Sequence, residues 1–282
     1  MPPLPTSETL SQTAPQATPA WQKALGEAFR NPRDLLAFLG LDPAAAPRVL
    51  DLDPRFPLRV PRAYAALMRR GDWNDPLLRQ VLAFDSENEL RNGFAADAVG
   101  DGAAQDGPAV LRKYNGRALL VTTGQCAVHC RYCFRREYPY ADQALSAPEW
   151  DAVYARLGAD PDVDEVIFSG GDPLSLSDAK LRFHFARGTS LQGVRRLRLH
   201  TRLPVVLQER VDEGLLSLIS ETAAKKPLYI VLHVNHANEI GSGLEDAVAK
   251  LRAAGAILLN QSVLLRGVND SVEALEALSL RL

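Results

Sequence analysis

The chain has 282 residues, enough for one large domain or two modest ones, and its apolar content of 46% is ample for a buried core. Lys and Arg number 32 against 34 Asp and Glu, a formal net charge of −2, which excludes a global electrostatic pull toward nucleic acid. No apolar run approaches the length of a membrane helix, and three crowded cysteines, an odd number, argue against a disulfide framework.

Residues 1–20 are rich in Pro, Ser, Thr and Gln and lack the apolar stretch of a signal peptide, so they read as a disordered leader. A cytoplasmic location with no membrane and no nucleic-acid partner is expected. Residues 21–110 read as a helical N-terminal region. Asn31-Pro32-Arg33-Asp34 offers an N-cap, a proline at the first helical position and an acid in the first turn, predicting a helix through Leu35–Leu39. Asp75-Pro76 does the same for a helix over Leu77–Leu82, and Pro54, Pro57 and Pro61 punctuate a turn-rich stretch between the two.

From residue 111 to 282 the pattern becomes strand, then helix, repeatedly. Apolar, β-prone runs lie at Ala118–Thr122, Glu165–Ser169, Leu197–His200, Leu228–Val234 and Ile257–Leu264. Between them, Ser146-Ala-Pro-Glu149 is a capping box, Asp212 can cap a helix starting near 213, and Glu239–Ala254 supplies another helix. This alternation predicts parallel βαβ units. A full eight-unit barrel takes about 250 residues, so the expectation is a partial barrel with five units visible and no sixth strand. Leu181–Ser190 breaks the pattern, alternating with period two where a crossover helix belongs.

In such folds chemistry gathers at the C-terminal ends of the strands. After the first strand comes Cys126-Ala-Val-His-Cys130-Arg-Tyr-Cys133. Three thiolates can hold three irons of a [4Fe–4S] cluster, which normally takes four, leaving one iron open to a ligand from outside the protein. A Cys₃His zinc site using His129 or a distant histidine is the alternative. Arg131, Arg135 and Arg136 sit on this loop, where anionic groups would be held, and Arg195, Arg196, Arg198 and Arg202 form a second cluster. Tyr132 is placed for contact with adenine, or for simple packing.

The second strand runs into Ser169-Gly170-Gly171-Asp172, where paired glycines permit close backbone approach and Asp172 could accept hydrogen bonds from an ammonium. An ordinary turn is the other reading. The third strand ends in His200-Thr201-Arg202. On the fourth, His233 and Asn235 share a face by the two-residue period. The fifth carries Asn260-Gln261-Ser262 inside an apolar run, and such polar groups need a partner, either a ligand or an internal network.

Together these residues resemble the lysine 2,3-aminomutase family of radical S-adenosylmethionine (SAM) enzymes. Within it the chain looks most like the EF-P β-lysylation branch, which makes (R)-β-lysine for elongation factor P. The resemblance is carried by Asp75–Leu82 (DPLLRQVL), Cys126–Arg136 (CAVHCRYCFRR), Ser169–Leu174 (SGGDPL), His200–Pro204 (HTRLP), His233–Glu239 (HVNHANE) and Asn260–Asp270 (NQSVLLRGVND). It implies an α/β, partial (β/α)6 TIM-like radical SAM barrel with a [4Fe–4S] cluster on Cys126, Cys130 and Cys133. It further implies SAM held by Tyr132, Ser169, Gly170, Gly171, Asp172 and Gln261, with His200, Arg202, His233 and Asn235 lining the site. Arg135 matches the arginine that grips the carboxylate of L-lysine. The implied reaction uses a 5′-deoxyadenosyl radical and pyridoxal phosphate (PLP) to move the amino group from C2 to C3. Implied partners are elongation factor P, its lysyl-ligase and a reductant such as flavodoxin or ferredoxin. A metabolic aminomutase acting on lysine or another amino acid is the runner-up, and a non-catalytic zinc-binding domain the reading from another class.

The family binds PLP through a late lysine in a Gly-rich loop, beyond a sixth strand that ends in an acidic residue. Here no lysine follows Lys250 and the chain stops at Leu282, while Gln208 replaces a usual proline. A radical SAM core truncated after its fifth unit, missing the PLP-lysine segment and not fully active alone, is therefore expected.

Overall fold

A computed structural model of the chain describes residues 18–89 and 92–282. The leader expected over residues 1–20 falls outside them as far as residue 17, and Ala20 already begins a helix.

The first hundred described residues form short elements joined by turns. Helices α1 (Ala20–Gly26), α2 (Pro32–Leu39) and α3 (Arg62–Ala66) are the α-helical part. The cap reading at α2 holds: Asn31 Oδ1 accepts from Arg33 N at 2.9 Å. The same signal at Asp75 leads elsewhere. Its carboxylate accepts from Leu77 N and Leu78 N, both at 2.9 Å, but the chain then makes a single 3₁₀ turn at Leu78–Gln80 rather than a helix to Leu82. Leu77, Leu78, Val81 and Leu82 are all buried, and the Gln80 carbonyl is taken by Arg131 N at 2.8 Å, so contacts from outside the segment hold it after the cap.

Strand β1 (Val110–Leu111) pairs antiparallel with β2 (Arg117–Thr123). Four parallel pairings continue in chain order: β2 with β3 (Glu165–Gly170), β3 with β4 (Arg196–Thr201), β4 with β5 (Leu228–His233), and β5 with β6 (Ile257–Gln261). Among the described residues this is one open six-stranded sheet with β1 and β6 at its edges. The five parallel strands are those the sequence predicts. β6 stops at Gln261, short of Leu264, and β1 escapes prediction because two residues carry no periodicity. Intervening helices are α4 (Ala147–Ala159), α5 (Asp178–Ser190), α6 (Leu203–Val206), α7 (Glu213–Ala223) and α8 (Ser242–Ala253), with α9 (Val272–Arg281) after β6. The capping box at Ser146 and Glu149 and the Asp212 cap on Leu215 N both form. The helix expected from Glu239 starts only at Ser242, because Glu239 is drawn inward with no exposed surface.

The period-two reading of Leu181–Ser190 is overturned by α5. Its buried positions are Leu181, His184, Phe185 and Gly188, the i, i+3, i+4, i+7 stripe of a helix. Two of the four are not apolar, so the stripe is invisible to a hydrophobicity pattern. His184 lies between Trp150 and Tyr154, its Nδ1 2.8 Å from the Tyr154 hydroxyl. Burial, assisted by the charge of Lys180, pushes its pKa down to about 4. An unfolded histidine titrates near 6.5, so the unfolded chain takes up this proton first, and stability falls as pH drops from about 6.5 toward 4. The loss should reach about 1.4 kcal/mol per pH unit at most. Thermal melts across that range should show less acid destabilisation in His184→Gln than in wild type; equal slopes would contradict the assignment.

The sheet has two distinct faces. One carries Val166, Phe168, Leu197, Leu199, Leu228 and Ile230, all buried in the hydrophobic core. The other begins with a row of charges at the N-terminal ends. Arg117 pairs in register with Glu165 and Glu165 with Arg196, and Arg198 lies two residues further on the same face. Glu165 has no exposed surface and meets Arg117 Nε at 3.2 Å, Arg196 Nε at 3.2 Å and Arg198 Nη2 at 2.6 Å. A buried carboxylate left alone would cost several kcal/mol, which these three guanidinium groups offset. At the other end of the same face stand His200, His233 and Gln261.

Candidate functional site

Beyond Thr123 the chain leaves β2 at a register shift and crosses the C-terminal end of the sheet as an irregular loop. Without a regular ladder the loop takes its hydrogen bonds from the N-terminal region. His129 N donates to Arg59 O at 2.9 Å and Arg131 N to Gln80 O at 2.8 Å. The Arg131 guanidinium reaches Glu87 at 2.7 Å and Phe56 O at 2.6 Å, and Arg136 reaches the same Glu87 at 3.2 Å. Arg131 and Arg136 of the first arginine cluster are thus neutralised by the protein's own Glu87 instead of standing free for an outside anion. In the second cluster, Arg195 and Arg196 pair with Asp164.

Cys126, Cys130 and Cys133 line one cavity of about 390 Å³ together with Tyr132, Arg135, Ser169, Gly170, Gly171, Asp172, His200, Arg202, His233 and Gln261. Of the residues that the resemblance assigns to the site, all but one therefore meet at one place. The exception is Asn235, which is fully buried and absent from the wall. Its amide belongs to an internal network: Nδ2 donates to the Tyr132 hydroxyl at 2.7 Å and to Gln80 Oε1 at 2.9 Å, and Oδ1 accepts from Val263 N at 2.8 Å.

The cysteines are drawn to one cavity but not to one point. Among the described residues no group of three His, Cys, Asp or Glu side chains is close enough to chelate a single ion. Thiolates that each hold a different iron of a cluster stand farther apart than ligands sharing one zinc. His129 is turned away from them, stacked on Phe56 at 4.9 Å with Nδ1 2.8 Å from Pro57 O. Burial pushes the Cys126 thiol up, as does the nearby Asp172 carboxylate, and burial raises Cys133 as well. Two buried donors beside these sulfurs, Arg59 Nε and Arg202 Nε, have no hydrogen-bond partner among the described residues. Three soft sulfur donors flanked by two arginines whose buried Nε–H groups are unused fit an anionic iron–sulfur cluster.

The Ser169–Asp172 turn shows why two glycines are needed. Gly171 N donates to Thr123 O and Asp172 N to Gln125 O, both at 2.7 Å, so the turn lies flat against the root of the cysteine loop. Gly170 has φ +120°, and a Cβ there would meet Thr123 O; one at Gly171 would meet Gln125 O. The close backbone approach that the paired glycines predict is here to the chain itself. Asp172, the expected acceptor for an ammonium, already has its oxygens engaged: by Thr201 Oγ1 at 2.7 Å, Arg202 N at 2.8 Å and Leu174 N at 3.1 Å. Burial nevertheless raises its pKa.

Arg135 is buried against the cavity wall, with Nε on Asp101 at 2.6 Å and Nη1 on Ser169 Oγ at 3.2 Å. Asp101 also meets Lys113 at 2.6 Å. The Tyr132 ring tilts against His233 at 5.5 Å and its hydroxyl points into the network beneath. His200 Nε2 is buried without a partner among the described residues, and burial, with Arg198 nearby, pushes its pKa down to about 4. His233 is lowered to about 4 by burial and the Arg202 charge, while Nδ1 contacts Gln261 Nε2 at 3.3 Å. Both imidazoles are neutral at physiological pH.

Four participants in this site escape the sequence reading: Tyr64, Gln80, Asp101 and Glu239. Gln80 and Glu239 lie inside motifs that carry the family resemblance, and that is the available signal. Tyr64 and Asp101 are single polar residues far along the chain from their partners and carry no sequence signal.

Comparison with known proteins agrees with this geometry. Residues 120–278 match the family described as the Radical SAM superfamily. The chain is 40% identical over 262 residues to the L-lysine 2,3-aminomutase of Escherichia coli (strain K12), covering 92% of this chain and 75% of the relative. Identity to the L-lysine 2,3-aminomutase of Haemophilus influenzae is 38%, over 93% of this chain and 77% of the relative. With the protein of the same name from Buchnera aphidicola it is 37%, with the same two coverages. Three cysteines at one cavity on the C-terminal ends of parallel strands, and these matches over most of its length, place the chain in the lysine 2,3-aminomutase family of the radical SAM superfamily.

Proposed function

We propose that the chain is the radical SAM core of a protein that converts L-lysine to (R)-β-lysine, in the branch whose product modifies elongation factor P. The observation that carries the reading is the meeting of Cys126, Cys130, Cys133, Arg135 and Ser169–Asp172 around one cavity. When bound, a [4Fe–4S] cluster and SAM supply a 5′-deoxyadenosyl radical able to take a hydrogen from an unactivated carbon. The chain's own residues bind, orient and shield. Asp101 and Ser169 fix the plane of the Arg135 guanidinium, whose fork suits an amino-acid carboxylate. Neutral His200 and His233 offer hydrogen bonds without adding charge to the cavity. PLP enters through the sequence resemblance alone, since among the described residues no lysine lines the cavity. A one-electron carrier such as flavodoxin or ferredoxin, the elongation factor P lysyl-ligase and a cytoplasmic setting complete the proposal. Among the described residues no helix is long and apolar enough to cross a membrane.

Anaerobic assay of the full-length protein with L-lysine, SAM, PLP and a reductant should yield β-lysine; SAM cleavage there without β-lysine would sink the substrate assignment. Deleting the gene should remove β-lysine from elongation factor P, and unchanged modification would favour a metabolic role. Arg135→Lys keeps the charge but loses the fork, so the lysine KM should rise roughly 10- to 100-fold. An unchanged KM would remove Arg135 from substrate binding.

A further inference from the structure

Arg202, directly after β4, is 6% exposed and forms the centre of a buried polar network. Nη1 donates to Cys130 Sγ at 2.7 Å and to the Tyr132 hydroxyl at 2.6 Å. Nη2 donates to Glu239 Oε1 at 2.6 Å, Gln80 Oε1 at 2.7 Å and the Tyr64 hydroxyl at 3.0 Å. Glu239 has no exposed surface; Tyr64 OH also donates to it at 2.8 Å, and Asn235 N at 2.7 Å. Burial alone would raise the Glu239 pKa, but Arg202 and these donors outweigh it and hold the carboxylate below its ordinary range. Burial would likewise lower Arg202, but its contacts with the Cys130 sulfur, the two tyrosine hydroxyls and the Glu239 carboxylate outweigh that and raise its pKa. Both groups are therefore charged.

A buried ion pair of this kind adds little net stability over a well-packed apolar pair, so stability does not explain it. Its placement does. One N–H of a fixed cation is aimed at the sulfur of a cluster ligand. Hydrogen bonds and positive charge at ligand sulfurs favour the reduced, more negative state of a cluster and raise its potential. We propose that Arg202 sets the reduction potential of the cluster on Cys126, Cys130 and Cys133, with Glu239 as the counter-charge that limits the upward shift. Arg202 is a positioning residue in this role, acting through Cys130, and Tyr64 and Gln80 bring the N-terminal region into the setting of the potential.

The inference rests on the cysteines holding a cluster, so iron and sulfide are measured first on the reconstituted full chain. Wild-type protein without about four irons per chain would overturn that reading and this one with it. Redox titration followed by electron paramagnetic resonance then reads the midpoint potential directly. Arg202→Gln should lower it enough to change the oxidised-to-reduced ratio at a fixed potential about tenfold, equivalent to about 59 mV for one electron. Arg202→Lys, which keeps charge but not the fork, should shift it in the same direction by less. Glu239→Gln should shift it the opposite way, a sign that a merely structural role would not produce. Should Arg202→Gln fail to fold, the other two variants carry the test. Cluster-bearing Arg202→Lys and Glu239→Gln with wild-type potentials, or with shifts of the same sign, would overturn the proposal while leaving the cluster assignment intact.

Discussion

Cys130→Ser is expected to abolish reductive cleavage of SAM and to leave the purified protein without a full complement of iron. A serine hydroxyl is a poor substitute for a thiolate on iron, and only three cysteines are available to begin with. Loss of an outer-shell partner at a metal site costs roughly 10- to 100-fold, so loss of a ligand should exceed that. Cys130 is also the sulfur that receives the Arg202 bond, so the substitution removes a ligand and its tuning contact together. The fold should survive, because the loop is held by Arg131 on Glu87 and by backbone bonds to Arg59 and Gln80. Iron content, 5′-deoxyadenosine formation and circular dichroism melts are the measurements. A variant with four irons and wild-type cleavage would remove Cys130 from the metal site.

Gly170→Ala should have the largest effect on stability, roughly 3 kcal/mol or more, in the range reserved for backbone strain combined with a core clash. Two penalties add at this position. The φ of +120° is one that side-chain-bearing residues rarely adopt, and the new Cβ would press on Thr123 O. Neither can relax cheaply, because Gly171 N and Asp172 N tie the turn to Thr123 O and Gln125 O. Urea unfolding should show the loss, and the cysteine loop that begins at Gln125 should lose iron affinity along with it. A variant within about 1 kcal/mol of wild type, the scale of ordinary substitutions, would mean that the turn is not as tightly packed as described.

Much of the fold is legible in the sequence because its signals are local. Five strands are written as apolar runs, and the caps at Asn31, Ser146 and Asp212 depend only on residues within one turn of each other. The failures share a cause: tertiary contacts decide the outcome. The stripe of α5 passes through His184 and Gly188, which no apolar pattern records. Asp75 caps as expected, but the segment stops at a 3₁₀ turn, where the Gln80 carbonyl accepts from Arg131 N of the distant cysteine loop. At the site, the cysteine loop and strand-end residues are visible as types in a pattern. The bonding partners of each carboxylate are not. Asp172 and Glu239 look alike in sequence as acids within motifs, yet one is consumed by neighbouring N–H and hydroxyl groups and the other by a buried arginine.

The row of Arg117, Glu165, Arg196 and Arg198 also bears on how the sheet finds its alignment. Side chains alternate faces along a strand, so a slip of one residue in β3 would turn Glu165 toward the helices, among Phe168, Leu197 and Leu199, with no guanidinium in reach. A stranded carboxylate there carries a penalty that apolar residues, which tolerate either face, would never impose. Three arginines on one face thus favour the native alignment of the strands over its slipped alternatives, at the strand ends opposite the cysteine cavity.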